Sequence, residues 1–293
     1  MNLVALDWGT SSLRGALLAA DGYVIEERSF ARGILTVEKG GFEAVFEICF
    51  ADWMQPGTLC LIAGMAGSQQ GWLEAPYCPC PAGFADVAGQ LAWIDENRIA
   101  IVPGLSIVVK GIPDVMRGEE TQVFGALQLL GLRDVRIVLP GTHSKWVTVT
   151  NSRITNFSTW MTGEMYALLS QNSILARTLP SSDTAHNDAS FEQGVACALR
   201  GDGLLHTAFS ARTLSLFKRM TADELSSYLS GLVIGEELKG QHLTRGETLV
   251  LIGEPELCLR YGQALALLGV KTTSIGSQAT WSGLKTIADN HLG

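Results

Sequence analysis

Apolar and polar positions along this chain set out a strand pattern, then a helical one, and the opening order recurs half a chain later. Residues 2–7 (Asn-Leu-Val-Ala-Leu-Asp) form an apolar run ending in an acid, which reads as a buried strand. A polar turn containing Gly9 follows, and residues 13–19 read as a second strand. Asp21-Gly22 is a hairpin signal, so residues 23–30 can pair back as a third. Residues 42–54 have helical spacing, and residues 59–63 are another apolar strand ending at Gly64. The Pro- and Gly-rich residues 76–83 read as irregular. Residues 119–130 read as a helix with acids in its first turn, where the helix dipole favours them.

The recurrence begins with a short apolar strand at 136–139. Pro140-Gly141-Thr142-His143-Ser144 is a turn, 145–149 a strand, Asn151-Ser152 a turn and 154–157 a third strand. Helices are expected near 163–170, 190–200, 203–217 and 221–238. A strand at 249–252, a helix at 255–268, a strand at 270–274 and a helix at 277–288 close the chain. A duplicated α/β architecture with a boundary near residue 132 explains this order better than one continuous sheet.

Composition narrows the partners. With 47% hydrophobic and 17% charged residues among 293, the chain can bury a substantial core. A net charge of -8 argues against nucleic acid or an anionic membrane as a general partner. An anionic substrate would need its own cluster of Arg, Lys or backbone N–H groups. No stretch approaches the roughly 18 apolar residues of a membrane helix. The opening residues 1–4 show no basic leader region, so a cytoplasmic location is expected. The six cysteines fit neither a zinc pattern nor a disulfide framework, and Cys78-Pro79-Cys80 reads as a pair of reduced, partly buried thiols.

The candidate chemistry lies in turns. Small residues let backbone N–H groups approach phosphate oxygens, and Asp7-Trp8-Gly9-Thr10-Ser11 supplies such a turn. Asp7, at a strand end, would face Mg²⁺ directly or through its waters, and Thr10 and Ser11 add hydroxyl donors. Taken alone, the segment reads more readily as an ordinary hairpin with Asp and Gly in its turn. The matching turn of the second half offers Gly141 and Thr142 to phosphate and Lys145 to neutralise charge, without a Walker A order. Two such turns in equivalent positions are far more specific than either one. In the Gly-rich loop 64–72, Ser68 and Gln69 could bind sugar hydroxyls and Trp72 could form a wall; a tight strand-to-helix turn is the plainer alternative. At 114–122 a carboxylate could accept a hydroxyl proton and Arg117 could grip an acidic group, against the commoner meaning of dipole-complementing acids and a surface arginine. Residues 230–236 read first as a packing surface, and Gly253 ends a strand where a nucleotide can rest.

Several segments carry a family resemblance: 7–10 (Asp-Trp-Gly-Thr) with Arg14, 64–68 (Gly-Met-Ala-Gly-Ser), 116–122 (Met-Arg-Gly-Glu-Glu-Thr-Gln), 140–146 (Pro-Gly-Thr-His-Ser-Lys-Trp), 161–164 (Met-Thr-Gly-Glu) and 230–236 (Ser-Gly-Leu-Val-Ile-Gly-Glu). In this order they resemble the sugar kinase branch of the actin-like ATPase and hexokinase superfamily, and within it the 2-dehydro-3-deoxygalactonokinase family. The resemblance implies two ribonuclease-H-like α/β domains closing over a central cleft. Residues 1–132 would carry the sugar-acid site and first phosphate loop, and 133–293 the second phosphate loop and adenosine site. It implies transfer of the γ-phosphate of ATP, with Mg²⁺, to the 6-hydroxyl of 2-dehydro-3-deoxy-D-galactonate in galactonate breakdown. Gly9, Thr10, Ser11, Arg14, Gly141, Thr142, Lys145 and Gly253 would then serve the nucleotide, Asp7 the metal, and Ser68, Gln69, Trp72, Arg117 and Glu164 the substrate. Related glycerol and xylulose kinases carry their base Asp in a Gly-Asp-Gln-like segment. This chain reads Gly118-Glu119-Glu120 there, so Glu119 as base crosses a change of residue type, and Asp7 and Glu164 remain alternatives. The rival expectations are a kinase of the same fold for another sugar or sugar acid, and a non-catalytic actin-like ATP-binding sensor. The expected partners are the sugar acid and ATP, with neither nucleic acid nor membrane, and a homodimer is an open option.

Overall fold

A computed structural model of the chain describes residues 2–180 and 185–292. The predicted opening forms as β1 (Leu3–Trp8), β2 (Leu13–Leu18) and β3 (Val24–Phe30), followed by α1 (Phe42–Phe50) and β4 (Leu59–Gly64). The stretch expected to be irregular carries a short strand, β5 (Tyr77–Pro79), and leads into α2 (Phe84–Ala88). Four strands without a clear sequence signal come next: β6 (Ala92–Asp95), β7 (Ile99–Ile101), β8 (Gly104–Val109) and β9 (Ile112–Met116). Then come α3 (Glu119–Leu130), β10 (Val135–Leu139), β11 (Ser144–Thr150), β12 (Arg153–Trp160), α4 (Thr162–Asn172) and α5 (Asp188–Arg200). The helix expected over 203–217 is divided into α6 (Leu204–Thr207) and α7 (Phe209–Leu216). The chain ends with α8 (Ala222–Lys239), β13 (Thr248–Ile252), α9 (Pro255–Leu267), β14 (Lys271–Ile275) and α10 (Gln278–Leu292).

The sheets repeat a topology. One has the order β3-β2-β1-β4-β7-β6, another β12-β11-β10-β13-β14, and a small third sheet is β5-β8-β9. Five consecutive positions of the first sheet match the second, so the recurrence seen in the strand signals is an architectural duplication. Among the described residues, no helix is long and apolar enough to cross a membrane.

Contacts divide the chain into two compact units. Unit 1 holds residues 1–137, 146–158 and 275–293; unit 2 holds 138–145 and 159–274. These units are not separated by one cut near residue 132. The reason within unit 1 is that α10 packs on α3 rather than on its neighbours in sequence. A Cβ on Gly125 would lie 2.8 Å from the Gly283 amide, so the two helix backbones touch through glycines. Unit 2 uses the same device: a Cβ on Gly231 would lie 2.9 Å from the Phe191 carbonyl carbon, pressing α8 onto α5. The Gly-rich stretch 230–236 is therefore a packing surface first.

Strand alternation in β1 places the site. Val4, Leu6 and Trp8 are buried in the core with Phe42, Phe46 and Phe50 of α1. Successive side chains on a strand point to opposite faces. Asp7 therefore points away from that core, at the end of β1 where the sheet stops.

Candidate active site

In unit 1, Asp7 sits between two strand partners. Its register places it beside Arg14 in the antiparallel direction and Ala63 in the parallel direction. Asp7 Oδ2 accepts from Arg14 Nη2 at 2.5 Å. Gly64, at φ +91°, stands next to it: a Cβ there would come within 3.2 Å of Asp7 Oδ1. Gly118, at φ +105°, lies over Gly64, where its own Cβ would be 3.1 Å from the Gly64 Cα. Both positions demand a left-handed backbone that glycine adopts without strain. Together these glycines bring the first turn of α3, with Glu119 and Glu120, up to the strand end that carries Asp7.

The first turn is closed by Gly9 N donating to Ser12 O at 2.9 Å, while Thr10 and Ser11 are exposed. Glu119 Oε2 accepts from the Arg117 amide at 2.9 Å, which holds the carboxylate at the mouth of the helix. Glu120 is fully buried and turns back to accept from the Gly118 amide at 3.0 and 2.8 Å through its two oxygens. Burial, and after it the charge of Glu119, push the Glu120 carboxyl from the ordinary 4.5 up to about 8. The native protein thus binds this proton more tightly than the unfolded chain does. The resulting stabilisation is complete below pH 4.5 and is lost as pH rises through about 8. Glu120→Gln is expected to flatten that decline. Denaturant melts near pH 5 and near pH 9 should show the variant losing less stability than the parent over this interval; equal losses would refute the assignment.

Arg117 and the loop after β4 meet beside this corner. Arg117 Nη2 donates to Ala75 O at 2.7 Å, and its guanidinium carbon lies 4.3 Å from the centre of the Tyr77 ring. A Cβ on Gly67 would lie 2.7 Å from Arg117 Nη1 and 2.8 Å from Ile101 Cγ2, so the guanidinium sits close against this glycine. Arg117 Nε and Nη1, and the neighbouring Ser68 Oγ, are buried with no hydrogen-bond partner among the described residues. An unpaired buried donor costs about 1–3 kcal/mol, and more when charged. Gln69 and Trp72 line a separate pocket of about 720 Å³ with Lys39, Glu43 and Gln70. Trp72 is only partly a wall, because its ring also packs on Phe46 with centroids 5.5 Å apart.

In unit 2, the second turn joins β10 to β11 and keeps Thr142 and His143 exposed. The start of α4 is pressed against it: Glu164 N donates to Thr142 O at 3.0 Å, and His143 Nε2 meets Glu164 Oε2 at 2.5 Å. Within unit 2, Glu164 therefore belongs with the second turn. Gly253 is also drawn to this turn, since a Cβ on it would lie 3.3 Å from the Pro140 carbonyl oxygen. Lys145 points inward, is buried, and donates from Nζ to Thr159 Oγ1 at 2.8 Å.

Beneath the turn lies a group that the sequence reading did not single out. Buried Glu237 of α8 accepts from Ser144 Oγ at 2.8 Å, from Tyr261 Oη at 2.7 Å, and from Thr162 Oγ1. Burial, followed by the Glu237 charge, pushes the Tyr261 hydroxyl well above its ordinary value. The available signal was Glu236-Glu237, two acids directly after the apolar run 231–235 of α8. Among the described residues, no three His, Cys, Asp or Glu side chains cluster to hold a metal. A hard cation such as Mg²⁺ needs only one or two protein carboxylates beside phosphate and water. Asp7 at an open strand end fits that demand.

Residues 7–287 match the family described as 2-keto-3-deoxy-galactonokinase. The 2-dehydro-3-deoxygalactonokinase of Escherichia coli (strain K12) is 33% identical over 288 residues, covering 97% of each chain. A relative from Rhizobium meliloti (strain 1021) under the same kinase name is 37% identical over 292 residues, covering 97% of this chain and 95% of its own. A crystal structure from Sinorhizobium meliloti, again under that kinase name, superposes with a TM-score of 0.90 at 36% identity, covering 98% of both chains. An activator of 2-hydroxyisocaproyl-CoA dehydratase from Clostridium difficile, with bound ADPNP, shares the fold alone, with a TM-score of 0.53 at 11% identity over 98% of this chain and 93% of its own. The chain belongs to the 2-keto-3-deoxy-galactonokinase family, carbohydrate kinases of the two-domain actin-like fold that phosphorylate this sugar acid in galactonate catabolism.

Proposed function

We propose that unit 1 binds the sugar acid and presents its 6-hydroxyl to the γ-phosphorus of ATP, with Glu119 as the general base. The observation that carries this reading is the Gly64–Gly118 contact, which sets Glu119 beside the strand end that bears Asp7. The acceptor oxygen bonds to the γ-phosphorus, the bond from that phosphorus to the β-phosphate oxygen breaks, and ADP departs. The hydroxyl proton passes to the Glu119 carboxylate. Because phosphoryl transfer is mostly positioning and charge stabilisation, the remaining residues act by holding and neutralising.

Thr10, Ser11 and the Gly9 turn offer donors to phosphate oxygens in unit 1, and Gly141 and Thr142 do so in unit 2. Arg14 balances charge once Asp7 takes up Mg²⁺, which supplies Lewis-acid charge neutralisation when bound. Gly253, beside the second turn, suits the nucleotide side of unit 2. Lys145 serves this site from within, by fixing Thr159 and the strand beneath the turn, rather than by direct charge contact. A cytoplasmic location fits a chain acting on a free metabolite.

A coupled ADP-release assay over a panel of sugars and sugar acids tests the reading. Turnover is expected to be fastest with 2-dehydro-3-deoxy-D-galactonate, and absence of any substrate-dependent ADP release would favour a nucleotide-binding sensor. Glu119→Gln is expected to lower kcat by about 10²-fold with little change in KM. Normal turnover in that variant would move the base to Asp7 or Glu164.

A further inference from the structure

We infer that Arg117 and Ser68 together form the subsite for the substrate carboxylate, and that this subsite makes the enzyme select an acid over a neutral sugar. The inference rests on unit 1 being the sugar-acid side of the kinase. Its observation is a half-buried guanidinium whose Nε and Nη1 donors are themselves buried and have no hydrogen-bond partner among the described residues. Among the described residues the Arg117 guanidinium has one hydrogen bond, to the neutral Ala75 carbonyl, and a stacking contact with Tyr77. Glu119, its near neighbour in sequence, is bonded to the Arg117 backbone amide instead.

A buried charge is normally paired, because its lost hydration must be replaced. Here the Nε and Nη1 donors are left over, and so is the hydroxyl of Ser68, the next residue after the glycine on which Nη1 rests. Three features hold these groups in place. The Tyr77 ring fixes the guanidinium plane, Ala75 O fixes Nη2, and the loop is bonded to itself by Ser68 N to Met65 O at 3.0 Å and Trp72 N to Ala66 O at 2.8 Å. Fixed, charged donors with a hydroxyl beside them match a planar carboxylate, which accepts several charge-assisted hydrogen bonds. They match a neutral hydroxymethyl or aldehyde end poorly, since the guanidinium would stay unpaired. A site built around a polar group rejects analogues that lack its partner far more strongly than an apolar pocket rejects a change of size.

The test compares 2-dehydro-3-deoxy-D-galactonate with its uncharged C1 amide, in turnover and in calorimetric binding, for the parent chain, Arg117→Gln and Ser68→Ala. The parent is expected to prefer the acid by about 10²-fold, Arg117→Gln to lose most of that preference through KM, and Ser68→Ala to lose about tenfold of it. An acid-over-amide ratio unchanged in Ser68→Ala and in folded Arg117→Gln would overturn the inference, as would a parent chain that treats acid and amide alike. Failure of the kinase reading looks different. The parent would then bind the acid in an Arg117-dependent way without releasing ADP, which leaves the carboxylate subsite standing.

Discussion

Asp7→Asn is expected to lower kcat about 10³-fold, the effect of losing several kcal/mol of transition-state charge stabilisation. Asparagine keeps the shape of the side chain and its place between β2 and β4, but removes the charge that would hold Mg²⁺. It also replaces the anionic partner of Arg14 by a neutral amide, so a cation faces the phosphate chain with altered balance. The ion pair is partly exposed, with side-chain exposures of 31% for Arg14 and 16% for Asp7, so its contribution to stability is about 1 kcal/mol or less. Catalysis should therefore fail in a protein that still folds. Steady-state kinetics over a range of Mg²⁺ concentrations, together with a denaturant melt, separates the two effects. A kcat within tenfold of the parent would remove Asp7 from the catalytic centre.

The second large effect is on stability. Glu237→Leu is expected to cost about 3–9 kcal/mol, because it strands the hydroxyls of Ser144, Thr162 and Tyr261 at about 1–3 kcal/mol each. Those three residues belong to β11, the start of α4 and α9, so the carboxylate ties the base of the second turn to two helices. Glu237→Gln keeps an acceptor and should lose about 1–2 kcal/mol, with one hydroxyl left facing an amide N–H. Equilibrium unfolding in urea reads both variants. A Leu variant within 1 kcal/mol of the parent would show that the hydroxyls find other partners. The same substitution should raise KM for ATP, since Ser144 and Thr162 flank the exposed Thr142, to whose carbonyl the Glu164 amide donates.

The two hairpin openings were legible because everything that makes them is local: an apolar run, a turn residue, an alternating return strand. The match between β3-β2-β1-β4-β7 and β12-β11-β10-β13-β14 shows how far such local signals reach when they recur. Between residues 84 and 118 the reading was blind. β6 to β9 are three to six residues long, and β7 is held by parallel pairing to β4, some forty residues earlier, which no local pattern announces. Likewise α10 reads as part of the second half by sequence order, yet Gly125 and Gly283 allow it to close on α3 in unit 1.

The candidate site divides in the same way. The chain by itself determined the chemical inventory: an acid at the end of β1, two small-residue turns in equivalent places, and a cation and two acids at one helix start. Those depend on residue type and short spacing. Only the tertiary structure decided which groups serve together. Lys145 follows strand alternation inward to Thr159, and Glu164 joins His143. The Gly64–Gly118 contact brings α3 to Asp7, and Arg117 ends with two buried donors that have no hydrogen-bond partner among the described residues. The physical reason is that burial and pairing arise from contacts between residues tens of positions apart. A side chain's environment, and hence its charge and its role, comes into being only when the backbone closes around it.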